Sequence, residues 1–184
     1  MTALTETHEL RTDLPTGTWK LDPVHSSIGF AVKHNVVATF RGSFGEVAGA
    51  LGPEGLEGTA KVESIAIDEP NLKGHLLSPE FFDADRHPEL SFRSRSIRVE
   101  GDRAEVNGEI TIKGVTKPIL LTGSVVGPIE DAYGNGGLRI GLELETTIDR
   151  RDFGLDWNAP LPGGDLMLGN DVTIRGEFEL AKEA

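Results

Sequence analysis

From Thr18 onward, apolar and polar residues alternate with a period of two. The clearest run is Arg139 to Asp149, with Ile140, Leu142, Leu144, Thr146 and Ile148 on one face and Arg139, Gly141, Glu143, Glu145 and Thr147 on the other. The same alternation recurs from Val172 to Leu180 and from Ala104 to Ile112. A sheet with one dry face and one wet face requires this pattern. Three other stretches change phase partway. Phe40 and Phe44 are out of step with Val47, Gly49 and Leu51, Leu90 and Phe92 with Ile97 and Val99, and Ala60 and Val62 with Ile65 and Ile67. A one-residue slip turns every later side chain over, so each site predicts a bulge or a sharp bend. Long strands that coil and bend suit a closing barrel. Eight strands are predicted, near 26–34, 37–51, 57–67, 89–99, 103–113, 117–127, 138–149 and 170–181.

The connections fit a meander. Gly52-Pro53-Glu54-Gly55, Glu100-Gly101-Asp102 and Gly134-Asn135-Gly136-Gly137 read as short, glycine-led turns between antiparallel strands. Two connections are longer. In residues 68–88, Leu72, His75 and Leu76 have helical spacing behind Pro70 and Asn71, predicting a short helix that Gly74 weakens. Residues 150–170, with Pro160, Pro162, Gly163 and Gly164, predict a loop with at most one turn. The expected architecture is all-β: an up-and-down barrel with a helix-bearing insertion, or alternatively an open sandwich. Residues 1–16 read as a flexible N-terminal lead closed by Pro15 and Gly17, leaving 17–184 as one barrel domain.

Composition narrows the chemistry. The 184 residues include no cysteine, which excludes disulfide scaffolds, thiolate metal sites and thiol nucleophiles. Thirty acidic residues against 18 basic ones give a formal charge of -12, a poor match for nucleic acid or for anionic lipid surfaces. The N-terminus carries Glu6, Glu9 and Asp13 and no apolar h-region, and no stretch approaches the ~20 apolar residues of a membrane span. The expectation is a soluble, cytoplasmic protein without stable membrane insertion. The chain has 23 glycines and 8 phenylalanines. Phe30, Phe40, Phe44, Phe92 and Phe178 fall on apolar phases, interspersed with Gly42, Gly108, Gly123 and Gly176, which leave room. A small barrel is either filled by its side chains or holds one small ligand, and pattern alone leaves both open.

Four segments resemble the YceI family. They are Thr18-Trp19-Lys20-Leu21-Asp22 followed by His25-Ser26-Ser27-Ile28-Gly29-Phe30 and Lys33-His34; residues 74–94; residues 108–121; and Asp149-Arg150-Arg151-Asp152-Phe153-Gly154-Leu155. Together they span about residues 18–181. The resemblance implies an eight-stranded antiparallel, lipocalin-like extended β-barrel with a short helix in one connection. It further implies that the barrel holds a long amphiphilic molecule, an isoprenoid, quinone or fatty-type lipid, with no other cofactor. In one place the chain departs from the family pattern: Lys73-Gly74 stands where an Arg-Asp pair often precedes the His-Leu of the helix.

Phe30, Val32, Phe44, Leu76, Phe81, Phe82 and Phe92 are the candidate contacts for a lipid tail. His34 shares the phase of Ile28, Phe30 and Val32 and points inward; His75 shares the helix face of Leu72 and Leu76; Arg150 continues the inward phase of Ile140 to Ile148. These three are the candidates for the head side, with a salt bridge to Asp152 or Asp156 as the structural reading of Arg150. Trp157, with Phe153 and Leu155, is expected to lid one end, and Trp19 to cap the other as core. His25 reads either as a turn residue or as a donor at the mouth. The alternative function is a metal-dependent or hydrolytic enzyme using His25, His34 and His75. Against it, the chain has no HExxH, His-x-His or Gly-x-Ser-x-Gly motif. The main expectation is therefore a non-enzymatic lipid-binding, storage or transport protein, possible as a homodimer.

Overall fold

The computed structural model describes residues 14–133 and 137–184. Residues 1–13 of the expected lead and residues 134–136 of the Gly134-Asn135-Gly136-Gly137 turn lie outside the described residues. Ten strand segments are formed: β1 (Trp19–Leu21), β2 (Ser27–His34), β3 (Ala38–Phe44), β4 (Val47–Gly52), β5 (Gly55–Lys61), β6 (Glu89–Glu100), β7 (Arg103–Ile112), β8 (Val115–Glu130), β9 (Leu138–Asp149) and β10 (Leu168–Lys182). The helix α1 (Pro70–Leu77) sits between β5 and β6, and single 3-10 turns cover Val62–Ser64 and Arg150–Phe153.

All pairings are antiparallel, and each strand from β4 to β10 neighbours the next. β10 also pairs with β2, β2 with β3, and β1 lies between β10 and β4. β1 with β2 makes one stave, and β3 with β4 another. The ten segments therefore build eight staves of a closed barrel. The first stave is longer than expected, because three residues are too few for β1 to show an alternation. It breaks at Pro23, which has no N–H to donate. β10 continues across the gap: Asp22 N–H donates to Glu179 O (2.8 Å), and Glu179 N–H donates to Ser26 Oγ (3.0 Å).

Each expected phase slip has a structural cause. Between β3 and β4 the chain turns, with Gly45 N–H donating to Ser64 O (2.9 Å) and Phe44 bridging Ile65. The register of β6 against β7 shifts between Ser94 and Ser96. The strand expected over 57–67 ends at Lys61, where the 3-10 turn redirects the chain toward α1. Two further irregularities, between Val126 and Ile129 and between Leu168 and Val172, have no comparable slip in the sequence.

The order of turns defines two ends. Residues 53–54, 101–102, 14–18 and 183–184 lie at the bottom, whereas residues 35–37, α1, 113–114 and 150–167 lie at the top. The bottom is filled. Trp19, Val106, Ile140 and Leu180 are each at most 1% exposed, and Leu14 packs against them. Trp19 Nε1 donates to Pro15 O (3.1 Å), so the last residues of the expected lead rest on the barrel. Toward the top, Ile28, Phe30, Phe92, Ile174 and Phe178 pack against the second cluster yet are only partly buried. Inward-facing side chains that keep accessible surface are what a hollow interior produces.

Candidate functional site

That hollow is a cavity of about 690 Å³. Its floor includes Leu56, Leu144 and Leu180 of the bottom core. Its sides are the inward phases of the barrel strands, and its ceiling is made by α1, Phe81, Phe82, Phe153, Leu155 and Trp157. The wall includes surface-exposed Ala38 and Leu72, so the lumen meets solvent at the top. The question left open between a filled and a hollow barrel has a divided answer, filled below and hollow above.

Glycine placement explains why the phenylalanines do not plug the lumen. Phe30 pairs across strands with Gly42, and a Cβ at Gly42 would lie 2.5 Å from the Phe30 ring. A Cβ at Gly108 would meet the Phe92 ring at 2.5 Å, and one at Gly176 the Phe178 ring at 2.3 Å. Three rings thus lie over bare backbone along the wall. Phe30 further contacts Phe40 and Phe44 at centroid distances of 6.1 and 5.9 Å, and Phe44 meets Phe82 edge-on at 5.9 Å.

The lid is built around His75. Pro70 opens α1, the Glu69 side chain accepts from the Asn71 and Leu72 N–H groups, and Ser78 Oγ donates to His75 O (2.7 Å) at its end. The His75 ring stands edge-on to Phe81 (4.9 Å) and to Trp157 (4.7 Å), and its Nε2 lies 2.6 Å from Glu80 Oε2. Glu80 therefore supplies a carboxylate to the helix histidine, whose neighbour Gly74 has no side chain to offer one. Lys113 Nζ donates to Pro79 O (2.7 Å) and to Gly154 O (3.1 Å), joining the two lid segments.

Arg150 is buried, and its partners are backbone carbonyls. Its Nε donates to Gly169 O (2.9 Å), and its Nη1 to Trp157 O (2.9 Å) and to Leu155 O. No carboxylate among the described residues pairs with it, which corrects the expected salt bridge to Asp152 or Asp156. Burial lowers its pKa, partly offset by the nearby charges of Asp149 and Asp156. Asp149 pairs instead with Arg151 (2.6 Å), whose hydrogen bond holds the Asp149 carboxyl down to about 2. Only Nη2 of Arg150 makes no hydrogen bond to the described residues, so its capacity for a ligand head is reduced to that group. His34 also borders the cavity and makes no ring hydrogen bond to the described residues.

All twelve residues singled out from the sequence border this one cavity: Phe30, Val32, His34, Phe44, His75, Leu76, Phe81, Phe82, Phe92, Arg150, Phe153 and Trp157. Met167 and Leu168 border it too; they were missed because Met167 ends the loop and Leu168 opens β10 ahead of the register shift before Val172, outside the run of apolar alternation. His25 does not border it. Its Nδ1 lies 3.0 Å from Asp22 Oδ2 on the surface, which raises the His25 pKa. The three histidines of the enzyme alternative are therefore not brought together. Among the described residues, the one group with metal-ligand geometry is Asp22, His25 and Glu179. Arg139 Nη1 already bridges its two carboxylates, at 2.8 and 2.7 Å, and Arg139 Nε pairs with Asp131 at 2.8 Å.

A closed antiparallel barrel with one apolar lumen, a packed floor and a helical lid is a lipocalin-like hollow barrel. The YceI-like domain family model matches residues 19–180, and the chain belongs to that family. A UPF0312 protein of Pectobacterium atrosepticum is 30% identical over 138 residues, 71% of each chain, and Protein YceI of Salmonella newport is 28% identical over the same share. Among solved structures, a polyisoprenoid binding domain from Saccharophagus degradans implicated in plant cell wall breakdown matches with a TM-score of 0.70 at 13% identity. That match covers 90% of this chain and 98% of that one. A Campylobacter jejuni YCEI protein matches with a TM-score of 0.67 at 22% identity, covering 100% and 99%.

Proposed function

We propose that the protein binds one long-chain amphiphilic lipid, of isoprenoid or quinone type, and stores or transports it without acting as an enzyme. The observation that carries this reading is the lumen itself, about 690 Å³ and lined almost wholly by apolar side chains. Its volume falls within the usual ~300–1,000 Å³ of ligand pockets. The tail runs down the barrel against Phe30, Val32, Phe44, Leu76, Phe81, Phe82 and Phe92, held by burial of apolar area at ~25 cal/mol per Å². The head stays under the lid, near His34 and the free Nη2 of Arg150. His75, engaged with Glu80, positions the lid around it. Membership of the YceI family and the likeness to a polyisoprenoid binding domain support the same reading.

Native mass spectrometry with lipid extraction of the purified protein tests it. The expected result is one co-purifying isoprenoid, quinone or fatty species per chain. Stoichiometric zinc with no lipid would overturn it in favour of the enzyme alternative.

A further inference from the structure

We propose that the tip of the β2–β3 hairpin and the adjoining loop form a docking site for a zwitterionic phospholipid bilayer, where cargo enters and leaves the lumen. This inference rests on the lumen being a lipid site. Four aliphatic side chains stand out at the top of the barrel: Val37 is 87% exposed, Val36 58%, Leu166 51% and Leu72 36%. They are not scattered. Asn35 N–H donates to Met167 O (2.7 Å), so the backbones next to Val36 and Leu166 are tied together. His34 pairs with Ala38 on one side and Leu168 on the other. His34, Ala38, Met167, Leu168 and Leu72 all border the cavity, so the apolar tip is continuous with its rim.

The hairpin turn is built at a conformational cost. Asn35 and Val36 have φ of 50° and 64°. Asparagine tolerates the left-handed region, but a β-branched residue there is a genuine outlier. Glycine would take the position of Val36 without strain, yet Val36 is used and remains exposed, so no burial within the fold compensates. Strain of this kind is kept where the surroundings or a function require the residue.

The occupant follows from size and charge. A stable protein interface takes ~800 Å² per partner and aromatic or arginine anchors. Four valine and leucine side chains, on the hairpin tip, the adjoining loop and α1, offer neither. A bilayer asks only that a few side chains reach its apolar boundary, which four aliphatic residues around an open lumen do. The formal charge of -12 disfavours anionic headgroups, which selects a zwitterionic surface.

The test uses the full chain, dioleoylphosphatidylcholine vesicles and dansyl-undecanoic acid as the probe. Val37→Asp should weaken co-sedimentation with vesicles, and slow probe transfer from them, by about tenfold. Its affinity for probe added from ethanol should not change. Val36→Gly should slow transfer while leaving the melting temperature equal or higher, an outcome that a purely structural valine would not give. Equal co-sedimentation and transfer for wild type and Val37→Asp would overturn the proposal. A concentration-dependent dimer abolished by Val37→Asp would also overturn it, assigning the tip to a second copy. Failure of the wild type to bind probe from ethanol would count against the lumen reading, while co-sedimentation still decides docking.

Discussion

Phe30 lies against the barrel wall because Gly42, its cross-strand partner, offers no side chain to hold it off. A Cβ there would meet only the far end of that ring, and the ring can swing inward. Gly42→Ala is therefore expected to fold with a melting temperature within about 4 °C of wild type, since little core packing is lost. It should bind dansyl-undecanoic acid about tenfold more weakly as Phe30 takes tail space. Unchanged affinity in a fluorescence titration would mean that the glycines do not set the bore. A second residue effect is electrostatic. The Asp22 hydrogen bond raises His25, and the His25 and Arg139 hydrogen bonds hold Asp22 well below the usual carboxylate range. The His25 contribution is complete below its unfolded value, near ~6.5, and is lost as pH rises through the folded one. The Asp22 contribution is present above its unfolded value, near ~3.9, and is lost as pH falls. An NMR titration should place His25 above its ordinary value, and Asp22→Asn should bring it back. A midpoint that Asp22→Asn leaves unmoved would show that Asp22 is not the cause.

Among elements, the loop over 154–167 depends on one side chain. Arg150 reaches back from the 3-10 turn to the carbonyls of Leu155, Trp157 and Gly169, fixing where Trp157 meets His75 and Phe81. Arg150→Ala leaves these carbonyls without their donor and is expected to cost about 2–4 kcal/mol in urea unfolding. Arg150→Lys should recover little of that, because an ammonium lacks the planar fork that serves carbonyls on both the loop and β10. A lysine variant as stable as wild type would remove the fork from the account. This element also shows where sequence reading stops. Inward placement of Arg150 was legible from the phase of β9, and the breaks after Phe44 and Lys61 from slips in apolar phase. Its partners were not legible, because any residue supplies a carbonyl and only the path of the chain decides which ones converge. Likewise Glu80 stands five residues from His75, beyond the helix end, where helical spacing says nothing. The irregularity at Gly127-Pro128 left no mark because Val125 and Val126 are both apolar, so no phase is lost there.

At the scale of the whole molecule, stability and binding occupy different halves of one barrel. Val106, Ile140 and Leu180 make a bottom that is complete without a ligand, whereas the upper inward residues are partly exposed to the lumen. Removing a lipid should therefore loosen the top and spare the bottom. A ligand held at a hundredfold above its dissociation constant adds ~2.7 kcal/mol. For a chain of this size that corresponds to a melting temperature ~5–10 °C higher in the loaded protein than in the delipidated one. Hydrogen exchange on delipidation should accelerate in α1, in the 154–167 loop and in the upper ends of β2 and β3. The amides of Val106, Ile140 and Leu142 should keep their protection, since their bonds open only with the whole barrel. Acceleration spread evenly over both halves would mean that the floor also depends on the cargo, and that the barrel is not divided between a permanent core and a ligand-completed one.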